Sequence, residues 1–417
     1  MSKIELNRRD LVAAKEELGR KKAKNELKNK LDEEEIQQKE KLRELRKSWK
    51  IIMNVGENRS WCDTGDRVMY STKHKPRQCV EYIRSFSVYQ QRKFVGNLMK
   101  NTATGKIGVK IPTIGLGFMG MSEFYGQSDE KENITVLNKS IELGSYFWDT
   151  ADMYGRGANE ILLSKVLKER RNEVFLCTKF GVVRNQIGEL QLVDVKGDRE
   201  YVRQACEKSL KRLGVDYIDL YYQHRVDPNT PIEETITVLA ELVKEGKVKY
   251  IGISECSVNT LRRACKVEYS PWALDIEKNG IMEACRELGV TIVVYSPLGR
   301  GFLTGKFKSV DDFEKDDFRR TFPRFMGDNF QKNLEIVKKF QEFANKKGVA
   351  ASQLCLAWEE NIVVIPGTKK VKYLEENDDA AKVQLSSEEL SEIRQIINSI
   401  DIIGHRYQDD AKTFLDK

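Results

Sequence analysis

Four side chains of this 417-residue chain are of types that handle protons: Asp149, Tyr154, Lys179 and His224. Asp149 lies at the end of the run "SYFWDT", Lys179 closes "EVFLCTK", and His224 follows "YIDLYYQ". Tyr154 comes five residues after Asp149, in "DTADMYG", and His224 is one of three histidines in the chain. A cation beside a phenol favours the phenolate, and a carboxylate holds that cation in place and keeps it charged. A set of this kind can therefore give a proton to a reacting oxygen and take it back. Singly, each residue has a plainer explanation: Asp149 as a turn cap, Lys179 as a surface cation, His224 as a satisfied core imidazole. What separates the two readings is whether the fold brings the four to one rim.

The elements around them supply that rim. From about Lys106 onward, short β-branched or aromatic runs alternate with helical periods. The pairs are "TIGLG" then "ENITVLNKSIELG", "SYFWDT" then "ANEILLSKVLKER", "EVFLCTK" then "EYVRQACEKSLKRLG", and "YIDLYYQ" then "PIEETITVLAELVKEG". They continue with "KVKYIGIS" then "VNTLRRAC", a short "KVEYS" then "IMEACRELG", "VTIVVYS" then "NLEIVKKFQEFANK", and "NIVVIP" then "KVKYLEEN", with a last helix near "SSEELSEIRQIINSI". Strands buried on both faces read as continuous apolar runs, and eight β/α repeats are the rhythm of a (β/α)₈ TIM barrel, whose active sites lie at the C-terminal ends of the strands. A doubly wound sheet is the other architecture with this alternation.

Gly115, Gly117 and Gly120 in "TIGLGFMGMSEF" match G-x-G-x-x-G, a dinucleotide-binding fingerprint in the right context. That context is missing. No helical period begins before about Ile134, and the acid expected about 20 residues on, at the tip of a second strand, is absent.

Composition narrows the class. The net charge of +7 sits in residues 1–100, which hold 25 Lys and Arg against 15 Asp and Glu; residues 101–417 hold 46 against 49. Residues 5–48 are rich in Lys, Glu, Arg and Leu and nearly free of Gly and Pro, so a charged helical extension is expected there. Its apolar positions keep no heptad, which favours a solvated helix over a coiled coil or an RNA-binding arm. Nucleic acid is therefore not the expected partner, although the basic extension could take an acidic one. Eight cysteines without a C-x-x-C pair read as buried thiols in a reducing, cytoplasmic compartment, and no metal site is expected. No apolar run reaches the length of about 18 residues that a membrane span needs, and the N-terminus lacks a signal-peptide core. The expected organisation is an extension over 1–100, a barrel over 105–400 and a tail over 401–417.

In order, "FWDTADMYG", "LCTKFG" and "YYQHRVDP" resemble the tetrad segments of the aldo-keto reductase superfamily, and "GLGFMGMSEFYG" is similar to the opening of its NADP-dependent aldehyde and ketone reductase branch. The resemblance covers about residues 105–400. It implies Tyr154 as general acid, Lys179 as the cation that tunes a phenol of ordinary pKa about 10, Asp149 as the partner of Lys179, and His224 as the group orienting the substrate carbonyl. It also implies that the glycines of 115–120 form the first loop over the pocket, and that a nicotinamide cofactor is bound without a Rossmann unit.

For the cofactor, the resemblance implies Ser254 on the carboxamide, Tyr295 stacked on the nicotinamide, and Ser296, Leu298 and Gly299 along the pyrophosphate. Gly367, Thr368 and Lys369 would form a phosphate site at a helix N-terminus, with Glu376 and Asn377 near the adenine. Lys369, Lys370 and Lys372 suit a 2′-phosphate, which makes NADP the expected cofactor over NAD; a solvated basic helix start is the plainer reading.

Two departures stand out. Glu255 follows Ser254 where other branches carry Asn. The family pattern also places a full sixth strand ending in Gln before "EYSPW", yet here the five residues Lys266 to Ser270 follow the fifth helix directly. They span roughly 16 Å at about 3.3 Å per residue, one strand and no loop. That shortening keeps a second function open beside carbonyl reduction: a cofactor-binding barrel that is catalytically impaired or regulatory.

Overall fold

In the computed structural model, the described residues are 102–104, 109–184, 192–257, 260, 267–359 and 362–406. The charged extension and the whole of the expected fifth helix except Thr260 lie outside them.

Eight parallel strands form the (β/α)₈ barrel: β1 (Leu116–Gly117), β2 (Phe147–Asp149), β3 (Phe175–Phe180), β4 (Ile218–Gln223), β5 (Val248–Ile253), β6 (Val267–Glu268), β7 (Val293–Tyr295) and β8 (Val363–Val364). β1 to β5 pair in sequence order, β6 pairs β7, and β7 pairs β8. Parallel bridges from Ile114 to Val364 and from Gly117 to Gly367 join the last strand back to the first. The short run read as a doubtful sixth strand is thus a strand, with Val267 opposite Val294 and Glu268 opposite Tyr295. Where β5 meets β6, a side chain spans the seam: the Glu268 amide donates to Glu255 Oε1 at 3.0 Å.

Local sequence sets the helices after the strands. Asp129 caps α1 (Glu130–Leu143) by accepting from the Glu132 amide, and Gly144 ends it at φ 96°, a left-handed turn that favours glycine. α2 (Ala158–Arg170), α3 (Arg199–Leu213) and α4 (Ile232–Lys244) follow β2, β3 and β4. Leu162, Leu163, Val166 and Leu167 bury one stripe of α2, and Val202, Cys206 and Leu210 do so for α3. No helix among the described residues is long and apolar enough to cross a membrane. Cys177, Cys206, Cys256, Cys285 and Cys355 are buried free thiols, as expected.

Inside the barrel, Phe147, Cys177, Tyr222, Val293, Val363 and Ile365 pack as one buried cluster. Strand side chains alternate faces with period two, so the residue two positions further on points into the same lumen, one layer higher. Phe147 leads to Asp149, Cys177 to Lys179, Tyr222 to His224, and Val293 to Tyr295. The apolar layer is the floor on which the polar rim stands.

Candidate active site

Three strand ends and one loop carry the four expected groups to one point. Lys179 is buried, and its Nζ donates to Asp149 Oδ1 at 2.6 Å, to the Thr150 carbonyl at 2.6 Å and to Tyr154 Oη at 3.2 Å. An ammonium has three N–H bonds, so each has a partner and the third is aimed at the phenol. The ammonium also lies 4.7 Å from the centre of the Tyr154 ring. His224 follows β4, with its amide bonded to the Phe180 carbonyl at 2.7 Å. Its ring meets that of Tyr154 edge-on, centroids 6.0 Å apart and planes at 83°.

Tyr154 comes from a loop, and a loop needs other fastenings. Gly155, Arg156 and Gly157 all have left-handed φ, at 54°, 53° and 92°, which folds the chain back immediately after the phenol. The Gly155 amide donates to Glu123 Oε1 at 2.8 Å, and Arg184 bonds both Glu123 and the Met153 carbonyl. Buried Asn159 ties Thr150 to the Phe118 carbonyl and to Ser122, joining the first and second loops. Sequence reasoning missed Glu123, Arg184 and Asn159.

A second layer of charge lies behind the rim. Glu160 is fully buried and accepts from Thr178 Oγ1 at 2.7 Å and from Arg212 Nε at 2.6 Å. Next to it, burial and then the Glu160 charge push the Asp152 carboxyl up to about 8, against the pull of Arg212 and Lys179. This acid was not singled out in the sequence.

A cleft of about 1300 Å³ opens from the four groups. Of the expected cofactor contacts, Ser254, Tyr295, Ser296, Leu298, Gly367, Thr368, Lys369, Glu376 and Asn377 line it. Gly299 is the exception: it makes the turn at φ 56°, and a Cβ there would come within 2.6 Å of the Trp272 ring, so it shapes the loop from behind. The Lys369 ammonium donates to the Tyr125 and Gln127 carbonyls at 2.8 and 2.6 Å, holding the first loop to the last. Burial lowers its pKa. Lys370 pairs with Glu132, while Lys372 and Lys306 are both exposed and line the same cleft. Lys266 lies outside the described residues. The cleft is thus long, basic at one end and proton-handling at the other, which fits an elongated phosphorylated cofactor with its reactive ring at Tyr154.

Residues 113–398 match the aldo/keto reductase family. The chain is 49% identical over 333 residues to the aldo-keto reductase yakc (NADP(+)) of Schizosaccharomyces pombe, covering 75% of this chain and 97% of that protein. It is likewise 49% identical over 327 residues to the aldo-keto reductase str7 of Strobilurus tenacellus, covering 73% of this chain and 94% of that one. Among solved structures, the glycerol dehydrogenase of Gluconobacter oxydans superposes with a TM-score of 0.66 over 75% of this chain and 99% of its own, a likeness of fold at 24% identity.

Proposed function

The chain belongs to the aldo/keto reductase family, and on that premise we propose that Asp149, Tyr154, Lys179 and His224 carry out the NADPH-dependent reduction of an aldehyde or ketone at the cleft mouth. As a member of that family it is an NADP-dependent oxidoreductase. The observation that carries the residue roles is the three-way contact of Lys179.

NADPH, when bound, supplies a hydride to the carbonyl carbon. The rest of the work falls to the chain's own side chains. Asp149 and the Thr150 carbonyl fix the ammonium, so it cannot turn away from the phenol. Tyr154 gives its proton to the carbonyl oxygen, and the phenolate left behind faces a cation at 3.2 Å. In a water-poor site such a preset charge stabilises the developing anion with little reorganisation. His224, edge-on to the Tyr154 ring, is placed to donate to the same carbonyl oxygen and hold it in line. Ser254 and Tyr295 would hold the nicotinamide end of the cofactor, and Ser296 and Leu298 its pyrophosphate. Lys306, Lys369 and Lys372 are the cations available to its 2′-phosphate.

The impaired-barrel alternative finds no favour in this geometry, since β6 forms and pairs in register with β7. We place the protein in the cytoplasm on its buried free thiols, and residues 1–100 outside the catalytic unit, as a basic extension open to an acidic partner. The test of function is direct. Purified protein is expected both to quench NADPH fluorescence on binding and to oxidise NADPH when an aldehyde is added. Quenching without aldehyde-dependent oxidation would select the cofactor-binding alternative.

A further inference from the structure

The tail is tied down at several points. Ile403 exchanges two hydrogen bonds with buried Asn333, both at 2.8 Å, and Arg324 Nε donates to the Gly404 carbonyl at 3.3 Å. Gly404 has φ 91°, and a Cβ there would sit 2.9 Å from the backbone of Pro323 and Arg324. Glycine lets the tail lie that close. The next residue but one, Arg406, is thereby delivered to the β5–β6 seam. Its Nη2 lies 2.8 Å from Glu255 Oε2, its Nε 3.5 Å from Glu268 Oε2, and its Nη1 3.8 Å from Asp275 Oδ2.

Glu255 stands at the centre of this network. Its backbone is left-handed at φ 54°, which a non-glycine residue seldom adopts, and its carboxylate is buried. One oxygen accepts from the Glu268 amide and the other from Arg406, and the Tyr295 phenol also hydrogen-bonds the group. Tyr295 in turn lines the cleft. One carboxylate therefore ties the loop after β5, β6, β7 and the tail.

We propose that Arg406 is a positioning residue of the cofactor site: it neutralises Glu255 behind the Tyr295 ring, and so sets how the pocket discriminates oxidised from reduced cofactor. The proposal rests on the reading above, in which Tyr295 faces the nicotinamide. The oxidised ring carries a positive charge and the reduced ring does not. A bare carboxylate behind the ring would favour the oxidised form, and a bare guanidinium would disfavour it; the pair is close to silent. Among the described residues, Arg406 from the tail, Arg225 from the loop after β4, Tyr295 from β7 and the Glu268 amide face the Glu255 carboxylate, while the Glu268 and Asp275 carboxylates share the Arg406 guanidinium. Burial pulls the Glu255 carboxyl up, but Arg406, Arg225, the phenol and the Glu268 amide hold it below the usual range. It is therefore ionised at neutral pH.

The experiment measures dissociation constants of NADP⁺ and NADPH for the full-length protein and its variants by fluorescence and calorimetry. In Arg406→Ala the ratio of the two affinities is expected to move toward NADP⁺ by roughly tenfold at pH 8. The shift should fade on acidification as Glu255 takes up a proton. Arg406→Lys is expected to restore the wild-type ratio. Glu255→Gln removes the nearest of the three carboxylates around the guanidinium and is expected to move the ratio the other way, toward NADPH, which keeps a reading available should Arg406→Ala fold poorly. Equal loss of both affinities, or shifts of the same sign in the two variants, would make the contact purely structural and overturn the proposal. Wild-type protein that binds neither cofactor would instead refute the reading of the cleft, and the proposal with it.

Discussion

The barrel rim is built in two ways. From β2 to β4, the polar residues rise from a backbone ladder in which Asp149 stands opposite Cys177 and Lys179 opposite Tyr222. The strand-borne positions follow from register and the Lys179–Asp149 ion pair, and the Glu123–Arg184 pair and Asn159 fasten the Tyr154 loop beside them. At the β5–β6 seam the contacts run through the Glu255 carboxylate, which accepts from the Glu268 amide and from Arg406, 151 residues along the chain. The first half of the rim is fixed by register, whereas the second depends on charge brought from a distance.

If that contrast is right, removing the cation should have unequal consequences. Lys179→Met leaves Asp149 buried without its partner and Tyr154 without its cation. The expected result is a loss of turnover of roughly 10²–10⁴-fold, with destabilisation of about 3–5 kcal/mol, read by steady-state kinetics and by denaturant unfolding. Arg406→Ala, by contrast, should alter cofactor preference and leave turnover within about tenfold of wild type. Comparable turnover losses in the two variants would erase the distinction.

Asp152 sharpens the account of the ladder side. Burial raises its carboxyl to about 8 from 3.8, so the folded chain keeps a proton there that the unfolded chain has released. Folding then takes up a proton between those values, and this group's contribution to stability falls as pH rises from about 4 to about 8. Asp152→Asn is expected to flatten that slope and to be the more stable protein at pH 8. Unfolding curves at several pH values check it, and an unchanged slope would mean that the carboxyl ionises freely.

The smallest effect is expected at the far end of the cleft. Lys369 now holds the carbonyls of the first loop. If its ammonium exchanges them for the 2′-phosphate, Lys369→Ala should weaken NADPH by about tenfold and NADH little. Equal weakening of both would make it a loop fastening alone.

The same contrast explains what could be read from the sequence. Eight apolar runs and the residues at their ends were enough to expect the barrel and to place Asp149, Lys179 and His224 on one rim, because a strand's direction and period put its last polar residue there. Tyr154 was legible through its distance from Asp149 and the family text. The Asn159 bridge, the Glu123–Arg184 clasp, the raised Asp152 carboxyl and the reach of Arg406 were not. Each depends on loop conformation or on contacts between distant segments, which no local period encodes. The worry over the short "KVEYS" run came from counting residues. The run pairs with β7, and the Glu255 side chain meets it across the seam.

The central claim is that Tyr154, faced by Lys179, supplies the proton. Its most direct test is Tyr154→Phe, comparing NADPH affinity with the single-turnover rate of carbonyl reduction. The account predicts affinity within about twofold of wild type and a rate lowered by at least roughly a hundredfold. A variant that keeps more than about a tenth of the rate, a barrier change below about 1.4 kcal/mol, would contradict it.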